Sequence, residues 1–345
     1  MANRFDYRGG EHEAWLEQVQ EAILDPHLPI VDAHHHLWIR DQAPYLLREF
    51  AADLQTGHHI VASVFAECHS MYRATGAEAE RPLGEMEFIA GVAAMSDSGA
   101  FGTTGVCRAA VGNVDLSLGD AVEPLLERMT AVSGGRFRGV RASICWDASD
   151  ALHRAAPRAG YLGEPAVRAG IAALERLGLS LDCWLYHPQI PELTAVADGY
   201  PALTIILNHT GTPILGGPYR DRQDEVRARW LADMRELARR PNVFVKLGAL
   251  PARFRPAGAD RARPPGSQAV AAAWGPWILP CIEMFGARRC MFESNFPVHK
   301  NWMSYPVLWN AFKRMSADAS VDERQALFAG TAARAYRLTG VAAVS

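Results

Sequence analysis

The run Asp32-Ala33-His34-His35-His36 holds the densest concentration of reactive groups in the chain, and it directly follows the apolar Ile30-Val31. It therefore reads as the polar end of a buried strand. Side chains alternate along a strand, so Asp32, His34 and His36 are expected on one face. Two imidazoles at positions i and i+2 can bind one divalent ion together, and neutral imidazole suits zinc. The plainer reading is a strand end with solvated histidines. A second apolar run, LTIILNH, closes on Asn208-His209 before the turn Thr210-Gly211-Thr212. A histidine there can ligate a metal, move a proton or polarise a carbonyl, or simply cap the strand.

Other strand ends add further groups. Glu67 and His69 follow VASVFA on a shared face. A carboxylate in that position is costly to bury unless it has a partner or a task. Arg141, inside FRGVRAS, has a fork that matches the two oxygens of a substrate carboxylate; its alternative is a structural ion pair. Trp184, Tyr186 and His187 end the run LSLDCWLYH. Tyr186 and His187 face opposite ways in a regular strand, so one of the two is expected at the pocket. Lys246, in VFVKLGAL, is placed like Arg141 and is open to both readings. Glu293 and Asn295 share a face at the end of RCMFESNFP.

These groups need a frame that brings strand ends together. Nine apolar runs read as strands: the segment around Asp32, then 59–69, 88–96, 108–116, 137–147, 179–187, 203–209, 243–250 and 289–297. Most are nearly continuous in apolar residues, as strands buried on both faces of a parallel sheet are. Helical stretches lie between them, for example 120–133, 164–177 and 222–240. Strand and helix alternate at a spacing of roughly 25–45 residues, which suits a (β/α)8 TIM barrel of the α/β class. A doubly wound open sheet is the runner-up, but no GxGxxG follows the first strand. Residues 1–27 form an N-terminal extension with a helix expected over 11–24, and residues 28–340 form one barrel domain. The Pro- and Arg-rich stretch 251–268 reads as a long loop over the face that carries the polar strand ends.

Composition narrows the function classes. Lys+Arg total 35 and Asp+Glu 38, for a net charge of −3, which disfavours a nucleic-acid binder driven by charge. No apolar run approaches the ~18 residues of a membrane helix, and the polar N-terminus has no signal core, so a cytoplasmic location is expected. The six cysteines form no CxxC pair and read as buried free thiols. The balance fits a small-molecule enzyme or a neutral scaffold; the sequence leaves the oligomeric state open.

The DAHHHLW start, LNHTG, VKLG and the FESNFP ending, in that order, resemble the amidohydrolase superfamily. The resemblance is to its amidohydrolase 2 branch, which includes 2-pyrone-4,6-dicarboxylate lactonases, sugar lactonases, sulfomuconolactone hydrolases and, more distantly, metal-dependent decarboxylases. It runs from about residue 28 to the ALFAGTAARAYRL close at 326–338. The resemblance implies a distorted (β/α)8 barrel, with His34 and His36 matching the strand-one pair and His209 the strand-six histidine. A divalent zinc or manganese ion on His34, His36 and His209 is one implied state; the branch also contains lactonases that work without an ion. The family's strand-eight Asp handles the proton of the attacking water. Asn295 stands at that position, so the role must lapse or pass to Glu293, Glu67 or His209. The resulting expectation is a hydrolase that opens a small, carboxylate-bearing lactone. His209, Glu67, Glu293 and Asn295 would be at the chemistry; Arg141, Trp184, Tyr186, His187 and Lys246 would hold the substrate. A metal-dependent decarboxylase and a non-catalytic binding protein are the alternatives.

Overall fold

The computed structural model describes residues 10–40, 43–250 and 263–340. Eight parallel strands form one sheet in sequential order: β1 (Ile30–His35), β2 (Ile60–Ala66), β3 (Gly105–Gly112), β4 (Phe137–Ser143), β5 (Ser180–Trp184), β6 (Ile205–Leu207), β7 (Val243–Leu247) and β8 (Cys290–Phe292). A helix fills each crossover, from Leu47–Leu54 after β1 to Ser267–Phe285 before β8, and Tyr305–Met315 follows β8. Strand order that never doubles back, with a helix after each strand, is the (β/α)8 arrangement. The ring closes between its first and last strands just beyond β8. A parallel bridge joins His35 to Phe296, His36 N–H donates to Phe296 O at 2.8 Å, and Asn295 N–H donates to His34 O at 2.8 Å. The seam of the barrel is thus made by the histidine run itself.

The strands are buried on both faces, which explains their continuous apolar character. One cluster packs strand side chains against the helices and includes Phe65, Val140, Leu181 and Phe292. A second joins Val31, Ala62, Val64, Val111, Ile206 and Met291 to the C-terminal Ala332, Tyr336 and Leu338. The second cluster is the barrel interior, plugged from the end opposite the histidines. All six cysteines are buried and unpaired by disulfides. Among the described residues, no helix is long and apolar enough to cross a membrane.

Two local expectations fail. The apolar run 88–96 lies inside the helix Leu83–Asp97, not in a strand. A short, continuously apolar stretch has no period that separates a buried strand from a buried helix. The N-terminal helix spans Gly10–Leu16, far short of residue 24. Beyond it the chain is captured by the barrel's outer helices. Glu21 accepts the Ser267 N–H at 2.7 Å, Leu24 N–H donates to Asn310 Oδ1 at 2.9 Å, and Lys313 Nζ donates to Leu24 O at 2.7 Å. These tertiary bonds outweigh local helical preference. The expected loop over 251–268 falls mostly on residues 251–262, outside the described residues; the helix of the next crossover begins at Ser267.

Candidate active site

The carboxyl ends of the strands gather most of the singled-out residues into one buried polar cluster. The ring centroids of His34 and His36 are 4.8 Å apart, as are those of His34 and His209. All three residues are at most 5% exposed. Glu293, fully buried one residue past β8, lies between β6 and β1. Its Oε1 accepts the His209 backbone N–H at 3.1 Å and meets His209 Nδ1 at 2.8 Å; its Oε2 is 3.3 Å from His34 Nδ1. His209 reaches this carboxylate because the backbone turns sharply at the end of β6. His209 and Thr210 both have positive φ, 59° and 54°. His69, Ala249 and Asn295 share that rare conformation just past β2, β7 and β8. Left-handed backbone at non-glycine residues costs energy and collects at functional sites, and here it collects at one end of the barrel.

Proton positions follow from the partners. Glu293 takes the Nδ1–H of His209, so Nε2 carries the ring's lone pair and accepts a long contact from Arg141 Nη2 at 3.5 Å. His36 Nδ1–H donates to Ala66 O at 2.8 Å, which leaves its Nε2 an acceptor. That nitrogen is 3.2 Å from His34 Nε2 and 3.2 Å from Asn295 Oδ1. The amide of Asn295 is oriented by His299, whose Nδ1 accepts from Asn295 Nδ2 at 3.3 Å while its Nε2 donates to Leu250 O at 3.1 Å. Burial holds His34 and His36 well below the ordinary imidazole range; the Lys246 ammonium adds to this for His34 and the Arg141 guanidinium for His36. Burial lowers His209 as well, against the pull of Glu293. Burial pushes Glu293 up, but His209 and Lys246 outweigh it and the carboxyl stays below its usual range. The cluster therefore holds neutral rings beside an ionised carboxylate at neutral pH.

The remaining expected residues divide. Arg141 is 6% exposed and mostly engaged: Nε donates to Asn208 Oδ1 at 3.1 Å and Nη1 to Glu67 Oε1 at 3.1 Å. Glu67 also accepts from Ser143 Oγ at 3.1 Å, so its Oε1 is the arginine's counter-ion, while its buried Oε2 has no hydrogen-bond partner. Trp184 borders the cluster, with its ring 6.2 Å from that of His209 and 5.3 Å from the Arg141 guanidinium carbon. Tyr186 and His187 stand apart. Tyr186 packs with Cys145 and Ile214 and donates to His153 O at 3.0 Å. His187 starts a 3-10 turn and accepts the Ile214 N–H at 3.3 Å. The strand ends at Trp184, so alternation no longer decides where the next two side chains go. Lys246 does not reach a substrate position. It is fully buried beneath His34, 2.8 Å from Asp182 Oδ2 and 3.1 Å from His34 Nδ1. Asp32 leaves the face it was expected to share. The β1–β2 register slips between Asp32 and His35, and the carboxylate instead accepts from Ser294 Oγ at 2.6 Å and Tyr305 OH at 3.0 Å.

Asp182, His299 and Tyr336 were missed by the sequence reading. Asp182 binds Lys246, accepts from Asn208 Nδ2 at 3.1 Å and from Tyr336 OH at 2.7 Å. A carboxylate in the middle of the apolar LSLDCW was the available signal. Nothing local marks Tyr336, which enters the barrel from the C-terminal plug.

The donor set suits a divalent ion. One atom each from His34, His209 and Glu293 lies within 4.8 Å of the others. Neutral imidazoles with a carboxylate are zinc-type ligands, and the buried Glu293 Oε2 lacks a hydrogen-bond partner that a cation would replace. Glu293 takes the place expected for His36, which faces His34 and Asn295.

Comparisons with known proteins place the chain in a family. The amidohydrolase 2 family model, described as amidohydrolase, matches residues 31–338. The uncharacterized protein y4mH of Sinorhizobium fredii is 31% identical over 338 residues, covering 92% of this chain and 99% of its own. An L-fucono-1,5-lactonase of Burkholderia multivorans is 31% identical over 219 residues, 62% of this chain and 67% of its own. A zinc-bound amidohydrolase structure from Burkholderia multivorans superposes with a TM-score of 0.67 at 24% identity, covering 90% of this chain and 99% of that one. A putative 2-pyrone-4,6-dicarboxylic acid hydrolase from Pseudomonas putida gives 0.58 at 19% identity, with 91% and 99% covered. With the family match spanning nearly the whole barrel, from β1 to the C-terminal plug, the chain belongs to the amidohydrolase 2 family.

Proposed function

We propose that the protein is a lactonase that opens a small polar lactone by attack of water on the ring carbonyl. The observation that carries the mechanism is the His209–Glu293 pair. Glu293 fixes the proton of His209 on Nδ1 and leaves Nε2 as the base (2.8 Å between Nδ1 and Oε1). The likeness to L-fucono-1,5-lactonases supports the substrate class.

In the reaction, a water oxygen bonds to the carbonyl carbon while its proton passes to His209 Nε2. Negative charge grows on the carbonyl oxygen, beside Arg141 Nη2, the part of that guanidinium left free by Asn208 and Glu67. Collapse breaks the ring C–O bond, and the departing alkoxide takes the proton from His209. The products are a hydroxyl and a carboxylic acid on one chain. Asn295 cannot take a proton near neutral pH; its amide is held by His299 through Nδ2, and its Oδ1 lies 3.2 Å from His36 Nε2. Trp184 forms an apolar wall beside His209. In a separate, metal-loaded state, His34, His209 and Glu293 would hold a divalent ion that supplies Lewis-acid polarisation of the carbonyl; His209, then a ligand, would not serve as the base. A carboxylate on the lactone would be drawn to the positive charge of Arg141 without displacing Nη2 from the carbonyl oxygen, and this is the finer substrate reading we adopt.

Acid release from a panel of 1,5-lactones, with and without a carboxylate, tests the proposal. Hydrolysis that falls about 10²- to 10⁴-fold in His209→Ala, the usual worth of a general base, is the expected result. Equal rates in the two proteins would end the assignment of His209.

A further inference from the structure

Lys246 sits where a metal-binding histidine usually has a carboxylate or carbonyl partner. An imidazole that binds a metal through one nitrogen donates the proton on its other nitrogen to such an acceptor. Here the group 3.1 Å from His34 Nδ1 is an ammonium, a donor with nothing to accept. Lys246 is fully buried and held in place from below. Asp182 Oδ2 is 2.8 Å from Nζ, Asp182 is fixed in turn by Asn208 Nδ2 and Tyr336 OH, and the Tyr336 ring centroid is 5.2 Å from Nζ.

We propose that Lys246, clamped by Asp182 and Tyr336, is a positioning residue that claims the Nδ1 lone pair of His34 and so competes with a divalent ion for that ring. Two consequences follow. The ring's own proton is placed on Nε2, which faces His36 Nε2 at 3.2 Å, so His34 presents a hydrogen-bond donor toward the His36–Asn295 side of the cluster. A metal ion must displace that ammonium contact or bind beside its charge, which lowers affinity. Without Lys246, the nearest partner of Nδ1 is Glu293 Oε2 at 3.3 Å, an oxygen with no hydrogen-bond partner of its own. The proton would then move to Nδ1 and free Nε2 as a ligand. The C-terminal plug thus reaches the opposite end of the barrel through Tyr336, Asp182 and Lys246.

Zinc titration of the metal-stripped protein against a chromophoric chelator tests this without any substrate, so it stands or falls separately from the lactonase reading. Lys246→Met and the double variant Asp182→Asn/Lys246→Met should each bind zinc at least tenfold more tightly than the parent. The double variant leaves net charge unchanged and avoids an unpaired buried carboxylate. A gain absent from the double variant would mean that net charge alone is responsible and would overturn the proposal, as would unchanged affinity in both. Long-range ¹⁵N–¹H correlation spectra of the metal-free protein give a second readout that needs no variant to fold. The His34 proton should be on Nε2 in the parent; a proton on Nδ1 there overturns the proposal directly.

Discussion

His209 and His187 make an instructive pair. Each follows an apolar barrel strand, is nearly inaccessible and begins a 3-10 turn. His209 turns inward to a carboxylate supplied by β8, which fixes its proton and leaves Nε2 available. His187 accepts a backbone N–H from Ile214 and packs 5.5 Å from the Tyr219 ring. Burial, with the Arg229 charge adding to it against Asp147, pulls it down to about 4. The residue type is the same; the partner that the fold brings to it differs. A histidine at the mouth of a barrel becomes chemically useful when a fixed acceptor orients it.

The largest expected contrast is in turnover. His209→Gln should slow lactone opening about 10²- to 10⁴-fold, whereas His187→Gln should leave kcat within a few-fold of the parent in the same steady-state assay. A large kcat loss in the His187 variant would erase the distinction between the two sites.

Stability against pH should reverse the order. The neutral form of His187 is favoured in the fold, so its folded value of about 4 lies below the unfolded value of about 6.5. Between those values the unfolded chain binds more protons. Stability is therefore intact above pH 6.5 and is lost as pH falls toward 4. At pH 5 the loss from this one residue is about 2 kcal/mol, at 1.36 kcal/mol per pH unit. Denaturant unfolding at pH 7 and pH 5 should show a smaller difference in His187→Asn than in the parent. Parallel losses in the two proteins would contradict the burial argument.

The smallest expected effect is at the apolar wall beside His209. Trp184→Leu removes the ring beside His209 and Arg141 but no proton-handling group. It should raise KM several-fold with kcat nearly unchanged, the pattern of lost uniform binding. A kcat loss as large as that of His209→Gln would place Trp184 in the chemistry itself.

The sequence made the barrel legible because its strands are continuous apolar runs that end in polar groups. The convergence of His34, His36, His209, Arg141, Glu67 and Glu293 followed from placing those ends on one face. Strict alternation misled where strands stopped being regular: at the bulge that turns Asp32 toward Ser294, and beyond Trp184, where Tyr186 and His187 are placed by a turn. Lys246 could be assigned to a strand, but its burial under His34 depends on Asp182 and on Tyr336, which arrives from ninety residues further along the chain. No local pattern contains such a contact.

The central claim is that His209 and Glu293 act as one proton-handling unit. A double-mutant cycle on lactone opening addresses it most directly, with kcat measured for His209→Ala, Glu293→Gln and both together. Residues that act as a unit are strongly non-additive, so the double variant should be about as slow as His209→Ala alone. Multiplicative losses, with the double variant slower by the product of the two single effects, would contradict the claim.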